Sequence, residues 1–190
     1  MSRNLYIFDC FGVVVSEVST LWMKPYLNDE QQEYMRKSVF RRVDVGEIAI
    51  EEVFTIAAEK FNLDADELAR KWTECEYVKE DTLNLLAQLR KQGHCVALLS
   101  NASRKYIDYL FARFDLYKYF DKIFVSADYG VAKPDREFYK LCVDDFDEQF
   151  GVKYFADDRA ENLIGLEQFG ITPILFTSAD EFAQKVGLKK

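Results

Sequence analysis

Five short apolar runs, most of them separated by helical patterns, constrain the fold of this 190-residue chain more than any other feature. They predict β-strands at residues 4–9, 94–99, 122–125, 152–156 and 173–176. The runs are almost continuously apolar, which is typical of strands buried on both faces of a parallel sheet. Helical patterns between the later runs indicate repeated βα units. We therefore expect an α/β fold, in which helices flank a parallel five-stranded sheet.

The helices of this expected sheet domain follow from apolar spacing and from terminal residues. The patterns predict helices over residues 81–92, 103–114, 134–142, 160–169 and 179–186. Gly93 follows the first of them, and Pro134 occupies the expected first helical position of the third.

A long stretch between the first two predicted strands carries no strand signal and is expected to be helical. Helical patterns cover residues 29–42, 47–61 and 65–76, with Gly46 breaking the chain between the first two. Asn28 stands at one capping position, and Asp64 with Glu67 resembles a capping arrangement at another. We interpret residues 16–78 as an inserted helical cap domain. Residues 1–15 and 79–190 would then form the core domain.

Composition excludes several classes of protein. The formal net charge is −8, so no basic field is available to replace the counterions of a nucleic acid, and anionic membranes are disfavoured. The single histidine and four scattered cysteines make a zinc site improbable. No signal peptide opens the chain, and no apolar run approaches the ~20 residues needed to span a bilayer. These features predict a cytoplasmic protein.

Polar residues that could carry chemistry follow four of the predicted strands. They are Asp9 after the first strand, Ser100-Asn101 after the second, Lys133 beyond the third, and Asp157-Asp158 after the fourth. Ligands bind at the carboxyl ends of the strands in open parallel α/β sheets, where these residues are expected. Each has a plainer alternative: Asp9 accepts hydrogen bonds in a turn, and Lys133 is a solvated surface lysine.

Two of these groups suit an anionic ligand. A hydroxyl at Ser100, just before a helix, could bind an anion together with the unpaired N–H groups of the helix. Alternatively, Ser100, Asn101 or Ser103 caps that helix. An ammonium group at Lys133 could lie among carboxylates and a bound anion, where it would stabilise developing negative charge.

The adjacent acids Asp157 and Asp158 suit a metal ion. Neighbouring carboxylates repel one another unless a cation or hydrogen-bond donors compensate, and oxygen-only ligands favour Mg²⁺. Asn162 lies four residues after Asp158, about one helical turn further on. The alternative is that Asp158 caps a helix while Asp157 is exposed.

Taken in order, these residues resemble the motifs of the haloacid dehalogenase superfamily over the whole length of the chain. The resemblance is to the branch with a helical cap inserted after the first strand, and it implies a Rossmann-like sheet. It also implies that Asp9 is a nucleophile that forms an aspartyl-phosphate. Ser100 and Lys133 would then be catalytic residues beside Asp9, and Ser100, Asn101 and Lys133 would bind the phosphoryl group. The implied Mg²⁺ ligands are Asp9, the Phe11 carbonyl, Asp157 and Asp158.

Phe11 departs from the usual phosphatase pattern, which has a second Asp two residues after the nucleophile to act as acid and base. One interpretation is a Mg²⁺-dependent phosphatase for a small phosphorylated metabolite such as a sugar phosphate, with another proton source. A second is a catalytically weak or inactive binding or regulatory protein. The third is a metal-independent 2-haloacid dehalogenase, against which the pair Asp157-Asp158 speaks.

The cap is expected to select the substrate. Arg41 and Arg42 lie near the end of a predicted cap helix, where either could clamp a substrate anion. Alternatively, they are favourable cations at a helix carboxyl end. The sequence does not decide between a monomer and a homodimer.

Overall fold

A computed structural model describes residues 3–146 and 149–188 of the chain. Its sheet has five parallel strands: β1 (Leu5–Phe8), β2 (Cys95–Ser100), β3 (Lys122–Val125), β4 (Lys153–Asp157) and β5 (Ile171–Leu175). The strand order is β3-β2-β1-β4-β5, which confirms the predicted parallel α/β architecture. Because the order reverses at β1, this strand ends at the point where ligands bind in such sheets.

Strand register brings the predicted functional residues to one edge of the sheet. Phe8 lies opposite Leu98 of β2 on one side and Ala156 of β4 on the other. The next amide along β1, that of Asp9, donates a 2.9 Å hydrogen bond to the Ala156 carbonyl. Asp9, Ser100 and Asp157 therefore leave three adjacent strands at nearly the same level.

Helices fill the stretch between β1 and β2, which we call the helical segment (residues 16–78). They are α1 (Val18–Met23), α2 (Asp29–Tyr34), α3 (Arg41–Asp44), α4 (Ile50–Phe61) and α5 (Ala65–Glu74), with a π-helix at Met35–Phe40 joining α2 to α3. Asn28 and Asp64 accept hydrogen bonds from the backbone N–H groups of Gln31 and Glu67, each at 2.9 Å, so both predicted caps are confirmed.

The two ends of the helical segment are tied together. Ser16 donates its N–H to the Tyr77 carbonyl, and Lys79 donates its N–H to the Val14 carbonyl, both at 2.9 Å. The chain therefore leaves the sheet and returns to it at one place.

The described part of the chain contains four more α-helices: α6 (Glu80–Lys91), α7 (Arg104–Arg113), α8 (Arg136–Asp144) and α9 (Ala179–Lys185). Alternate residues of β1 enter two apolar layers, Leu5 and Ile7 one layer, Tyr6 and Phe8 the other. The second layer continues into the helical segment through Trp22 and Trp72. The helical segment is therefore packed directly against the sheet domain. No helix in the described ranges is long and apolar enough to cross a membrane.

Two local predictions were wrong. Pro134 is not the first residue of a helix, because it follows a cis peptide bond within a turn, and α8 begins at Arg136. Residues 160–169 form no α-helix but two 3₁₀ turns, Ala160–Leu163 and Leu166–Phe169. Gly165 separates them with a φ of +74°, a left-handed conformation that an α-helix cannot contain.

Candidate active site

A lysine and three aspartates meet at the carboxyl edge of the sheet. The Lys133 ammonium donates hydrogen bonds to Asp9 Oδ1 at 2.6 Å and to Asp157 Oδ2 at 2.7 Å. All three side chains are almost fully buried. Buried charges are tolerated only when they are paired and hydrogen-bonded, so this contact fixes the lysine between the two strands.

Asn101 holds the loop that carries Lys133. Its side-chain Nδ2 donates to the Lys133 carbonyl at 2.9 Å, and its Oδ1 accepts from the Lys133 N–H at 2.8 Å. Both atoms of the amide are thus engaged with one backbone unit. Asn101 borders the cavity as expected for a substrate-binding residue, but its hydrogen bonds serve to position the lysine.

Ser100 is the last residue of β2, and its side chain is available for a ligand. The hydroxyl is buried and has no hydrogen-bond partner within residues 3–146 and 149–188. Ser103 rather than Ser100 caps α7, since its Oγ accepts the Tyr106 N–H at 3.4 Å. An unpartnered buried hydroxyl is costly, which favours an acceptor or donor supplied by a bound molecule.

The acids Asp157 and Asp158 are adjacent in sequence but have different surroundings. Both Asp157 oxygens accept hydrogen bonds. The Asn162 side-chain amide donates to each of them at 3.0 Å, Lys133 donates to Oδ2, and the Arg159 N–H donates to Oδ1 at 2.9 Å. By contrast, Asp158 Oδ1 is buried and has no partner among the described residues. Asp158 is therefore the acid with an open ligand position, whereas Asp157 holds the lysine.

Oxygen atoms of Asp9, Asp157 and Asp158 all lie within 4.8 Å of one another, a spacing suited to one cation. The Phe11 carbonyl also accepts no hydrogen bond from the described residues, so it is free to act as a ligand. Gly12 makes room for Asp158, because a Cβ at this position would lie 2.1 Å from Asp158 Oδ2. Open carboxylate and carbonyl oxygens in a crowded acidic site fit a hard divalent cation such as Mg²⁺.

Two carboxyl groups of this cluster, Asp9 and Asp158, have pKa values above their usual range. Burial, reinforced by the neighbouring carboxylates, raises the pKa of Asp9 to about 8 although Lys133 opposes the rise. Burial together with Glu17 and Asp157 raises the pKa of Asp158 to about 6. For Lys133, burial acts to lower the pKa, but Asp157 and Asp9 outweigh it and raise the value. One ammonium thus fails to balance three carboxylates, and a divalent cation would supply the missing charge.

A cavity of about 300 Å³ lies between the sheet edge and the helical segment. Asp9, Lys133 and Asp158 border it on the sheet side. The aromatic part of its lining comes from both sides, with Phe11 and Tyr106 from the sheet domain and Phe40 and Trp72 from the helical segment. The Phe11 ring stacks on Tyr106 with centroids 5.9 Å apart and planes 6° from parallel, so this residue contributes an apolar surface rather than a proton donor.

Neither of the two predicted substrate-binding arginines borders the cavity. Arg41 instead donates to Asp135 at 2.7 Å and to the Ala132 carbonyl at 3.3 Å, thereby linking the helical segment to the Lys133 loop. Arg42 is exposed and pairs with Glu47 at 3.5 Å. The cavity-lining arginines are Arg36 and Arg159, which the sequence reasoning missed.

The π-helix at Met35–Phe40 explains part of this difference. A π-turn holds more residues than an α-turn, so it shifts the angular positions of the side chains that follow it. Arg36 and Phe40 face the cavity from this helix, and Val43 and Asp44 face it from α3. The α-helical pattern predicted over residues 29–42 does not indicate which of these side chains face the cavity. The apolar spacing of these residues carries no signal for a π-turn.

The family model for haloacid dehalogenase-like hydrolases matches residues 4–170. The chain therefore belongs to this family of hydrolases, and the resemblance stated from the motifs is confirmed.

Two fungal proteins are similar in sequence. The chain is 27% identical over 183 residues to a sesquiterpene phosphatase of Aspergillus oryzae, covering 91% of the chain and 89% of that protein. It is 24% identical over 158 residues to the drimenol cyclase of Aspergillus calidoustus, covering 80% of the chain. The match spans only 30% of the cyclase.

Solved structures share the fold over the whole chain. A haloacid dehalogenase (HAD) family enzyme of Bacteroides thetaiotaomicron superposes on this chain with a TM-score of 0.77 at 18% identity. The alignment covers 100% of both chains. The same wild-type enzyme in complex with magnesium and inorganic phosphate has a TM-score of 0.69 at 20% identity, covering 94% of this chain and 96% of the other. A HAD-like hydrolase of Porphyromonas gingivalis reaches 0.75 at 20% identity, covering 98% and 97%.

Proposed function

We propose that this protein is a Mg²⁺-dependent phosphomonoester hydrolase that acts through an aspartyl-phosphate on Asp9. The observation that carries the proposal is the unpartnered oxygen of Asp158 beside Asp9, with the Lys133 ammonium 2.6 Å from the Asp9 carboxylate. This arrangement provides a nucleophile, an open cation position and a fixed positive charge within one small volume.

Each residue has a distinct part in the proposed reaction. Asp9 attacks phosphorus with its carboxylate, and the alcohol leaves as the P–O ester bond breaks. The Lys133 ammonium and the Ser100 hydroxyl bind the phosphoryl oxygens, where negative charge is distributed in the transition state. Asp9, Asp158 and the Phe11 carbonyl would hold Mg²⁺. When bound, the ion supplies charge neutralisation at the nucleophile and the phosphoryl group.

Similar proteins support this assignment. The Aspergillus oryzae relative is a phosphatase, and the Bacteroides enzyme binds magnesium and inorganic phosphate in its crystals. Against a haloacid dehalogenase stands the acidic pair Asp157-Asp158, which a metal-independent reaction does not need. The presence of Asp9 and Lys133 at one cavity, with the unpartnered Ser100 hydroxyl at the end of the neighbouring strand, argues against a purely non-catalytic binding module.

The substrate is expected to be a small phosphorylated metabolite. The sequence-based prediction was a sugar phosphate, but the cavity wall also suits an apolar alcohol. The Trp72 N–H donates to the Tyr106 hydroxyl at 2.7 Å, and that hydroxyl donates to Glu76 at 2.8 Å. These rings satisfy their polar atoms among themselves and present apolar faces, which would bind hydrocarbon better than sugar hydroxyls. An isoprenyl monophosphate is therefore the second candidate.

The proposal is tested with the purified full chain and four substrates: p-nitrophenyl phosphate, glucose 1-phosphate, farnesyl monophosphate and 2-chloropropionate. We expect phosphate release with Mg²⁺, none with EDTA, and none from Asp9→Asn, a variant of equal size that lacks the nucleophilic charge. Faster turnover of glucose 1-phosphate would identify a sugar phosphate as the substrate class, and faster turnover of farnesyl monophosphate would identify an isoprenyl monophosphate. Metal-independent chloride release, or silence toward every phosphate ester, would refute the proposal.

We further propose that residues 16–78 act as a cap that selects the substrate, since they supply the aromatic residues Phe40 and Trp72 to the cavity wall. The cytoplasmic location and the choice between a monomer and a homodimer stay predictions.

A further inference from the structure

Phosphate-ester cleavage at this site lacks an evident proton donor for the leaving alcohol. Phe11 stands where the usual second aspartate would be, and its ring is stacked on Tyr106. Tyr106 is itself unsuited, because burial and the Glu76 carboxylate raise its pKa and its hydroxyl is already bonded to Glu76. Among the described residues that border the cavity, the carboxyls outside the Asp9 and Asp158 cluster are Glu17 and Asp44.

Asp44 is held against the sheet domain at the end of α3. Its backbone carbonyl accepts a hydrogen bond from Ser126 Oγ. Two residues on, Gly46 packs so closely on Ala127 that an added Cβ would lie 3.1 Å from the Ala127 carbonyl oxygen. The end of this helix is therefore anchored, and Asp44 borders the same cavity as Asp9 and Asp158 from the helical segment.

The carboxylate of Asp44 has no hydrogen bond or ion pair to any residue in the described ranges 3–146 and 149–188. By contrast, Glu17 accepts hydrogen bonds at its Oε1 from Ser19 Oγ at 2.8 Å and from Thr20 Oγ1 at 3.4 Å. Asp44 therefore has the free oxygens that a leaving group or a water molecule can meet.

Charged residues from several elements face Asp44. They are Arg41 on its own helix, Lys133 in the loop before α8, Arg159 after β4, and Glu17 before α1. Burial raises the pKa of Asp44 to about 7, although the three cations oppose the rise, and Glu17 adds to it. At neutral pH both protonation states are populated, which is what a group that first donates and then accepts a proton requires.

We propose that Asp44 is the general acid and base of this site and replaces the aspartate absent at position 11. This inference depends on the proposed phosphatase function. In the first step the Asp44 carboxyl gives its proton to the ester oxygen as the P–O bond breaks and the Asp9 carboxylate bonds to phosphorus. In the second step the Asp44 carboxylate takes a proton from water as the water oxygen bonds to phosphorus and the Asp9–phosphorus bond breaks. Alcohol and phosphate are released, and Asp44 is again protonated.

The test compares Asp44→Asn with wild type on phenyl phosphate and p-nitrophenyl phosphate, both with Mg²⁺. Phenolate is the more basic leaving group and needs protonation, whereas p-nitrophenolate leaves readily without it. We expect kcat/KM for phenyl phosphate to fall on the order of 10²-fold. The value for p-nitrophenyl phosphate should fall far less, with a burst of p-nitrophenol because hydrolysis of the aspartyl-phosphate becomes slow. Asp44→Glu should recover part of the lost activity.

Two controls isolate Asp44. Glu17→Gln removes the other cavity carboxyl and should keep the wild-type ratio of the two kcat/KM values. In the metal-free protein, ¹³C NMR of labelled aspartates should show a carboxyl that titrates near pH 7 in wild type and is absent from Asp44→Asn. The melting temperature of each variant establishes that it is folded.

The possible results separate the two proposals. Wild-type hydrolysis that depends on Mg²⁺ and Asp9, combined with equal losses on both esters in Asp44→Asn, would overturn the role of Asp44 alone. A leaving-group effect that appears in Glu17→Gln instead would also overturn it. A wild-type protein without any Mg²⁺-dependent hydrolysis would overturn both proposals.

Discussion

Replacement of Gly12 by alanine should displace Asp158 and weaken metal binding while leaving the fold intact. Gly12 has a φ of +80°, and the missing Cβ is the space that Asp158 occupies. Gly93 offers a matched control, because its φ is +83° and an added Cβ would meet no atom within 4 Å. The two alanine variants carry the same backbone strain and differ in their contact with Asp158.

The size of the effect follows from the contact distances. Left-handed backbone costs an alanine about 1–2 kcal/mol in either variant. At position 12 the new Cβ would lie 2.1 Å from Asp158 Oδ2, whereas ordinary contacts begin at 3.4 Å, so the carboxylate has to retreat by the difference of 1.3 Å. A misplacement of about 1 Å at a reacting centre costs on the order of 10²-fold in rate.

Isothermal titration with Mg²⁺ and hydrolysis of p-nitrophenyl phosphate provide the measurements. We expect Gly12→Ala to bind Mg²⁺ at least about 10-fold more weakly, as is typical when a metal ligand loses its orientation. Gly93→Ala should keep the wild-type affinity and rate although it loses similar thermal stability. Equal Mg²⁺ affinity in the two variants would refute the argument that Asp158 is the open metal ligand.

Three further predictions concern the charges of the same site. Lys133→Met leaves Asp9 and Asp157 buried without their cation, and urea unfolding should show a loss of about 3–5 kcal/mol; a loss below 1 kcal/mol would contradict the assigned ion pairs. Phe11→Asp supplies an acid beside the nucleophile, so it should restore phenyl phosphate hydrolysis to Asp44→Asn, and no recovery would argue against a missing proton donor. Because the folded-state pKa of Asp9 rises to about 8 from 3.8, the folded protein keeps a proton that the unfolded chain has released. The free energy of unfolding of the metal-free protein should therefore fall as pH rises from about 4 to about 8, and Mg²⁺ should reduce that fall in thermal melts.

Local sequence signals determined much of this molecule. Continuous apolar runs indicated the strands because a parallel sheet buried on both faces needs apolar side chains on both sides. The polar residues that follow those runs, from Asp9 to Asp157, had to meet because the strands are parallel and their carboxyl ends share one edge. The caps at Asn28 and Asp64 were also predictable from the sequence, because a capping side chain and the N–H group that donates to it lie only three residues apart.

Other features depended on contacts between distant parts of the chain. The difference between Asp157, which holds Lys133, and Asp158, which keeps a free oxygen, comes from packing against the loop after β3 and against Gly12. Similarly, Arg36 lines the cavity and Arg41 does not, and the π-helix at Met35–Phe40 shifts the angular position of the residues that follow it, including Arg41. Only the tertiary structure brought Asp44 to the same cavity as Asp9, 35 positions earlier in the sequence. Local propensity specifies the helices and strands and where they end. Which side chains from different elements come together is decided by how those elements pack.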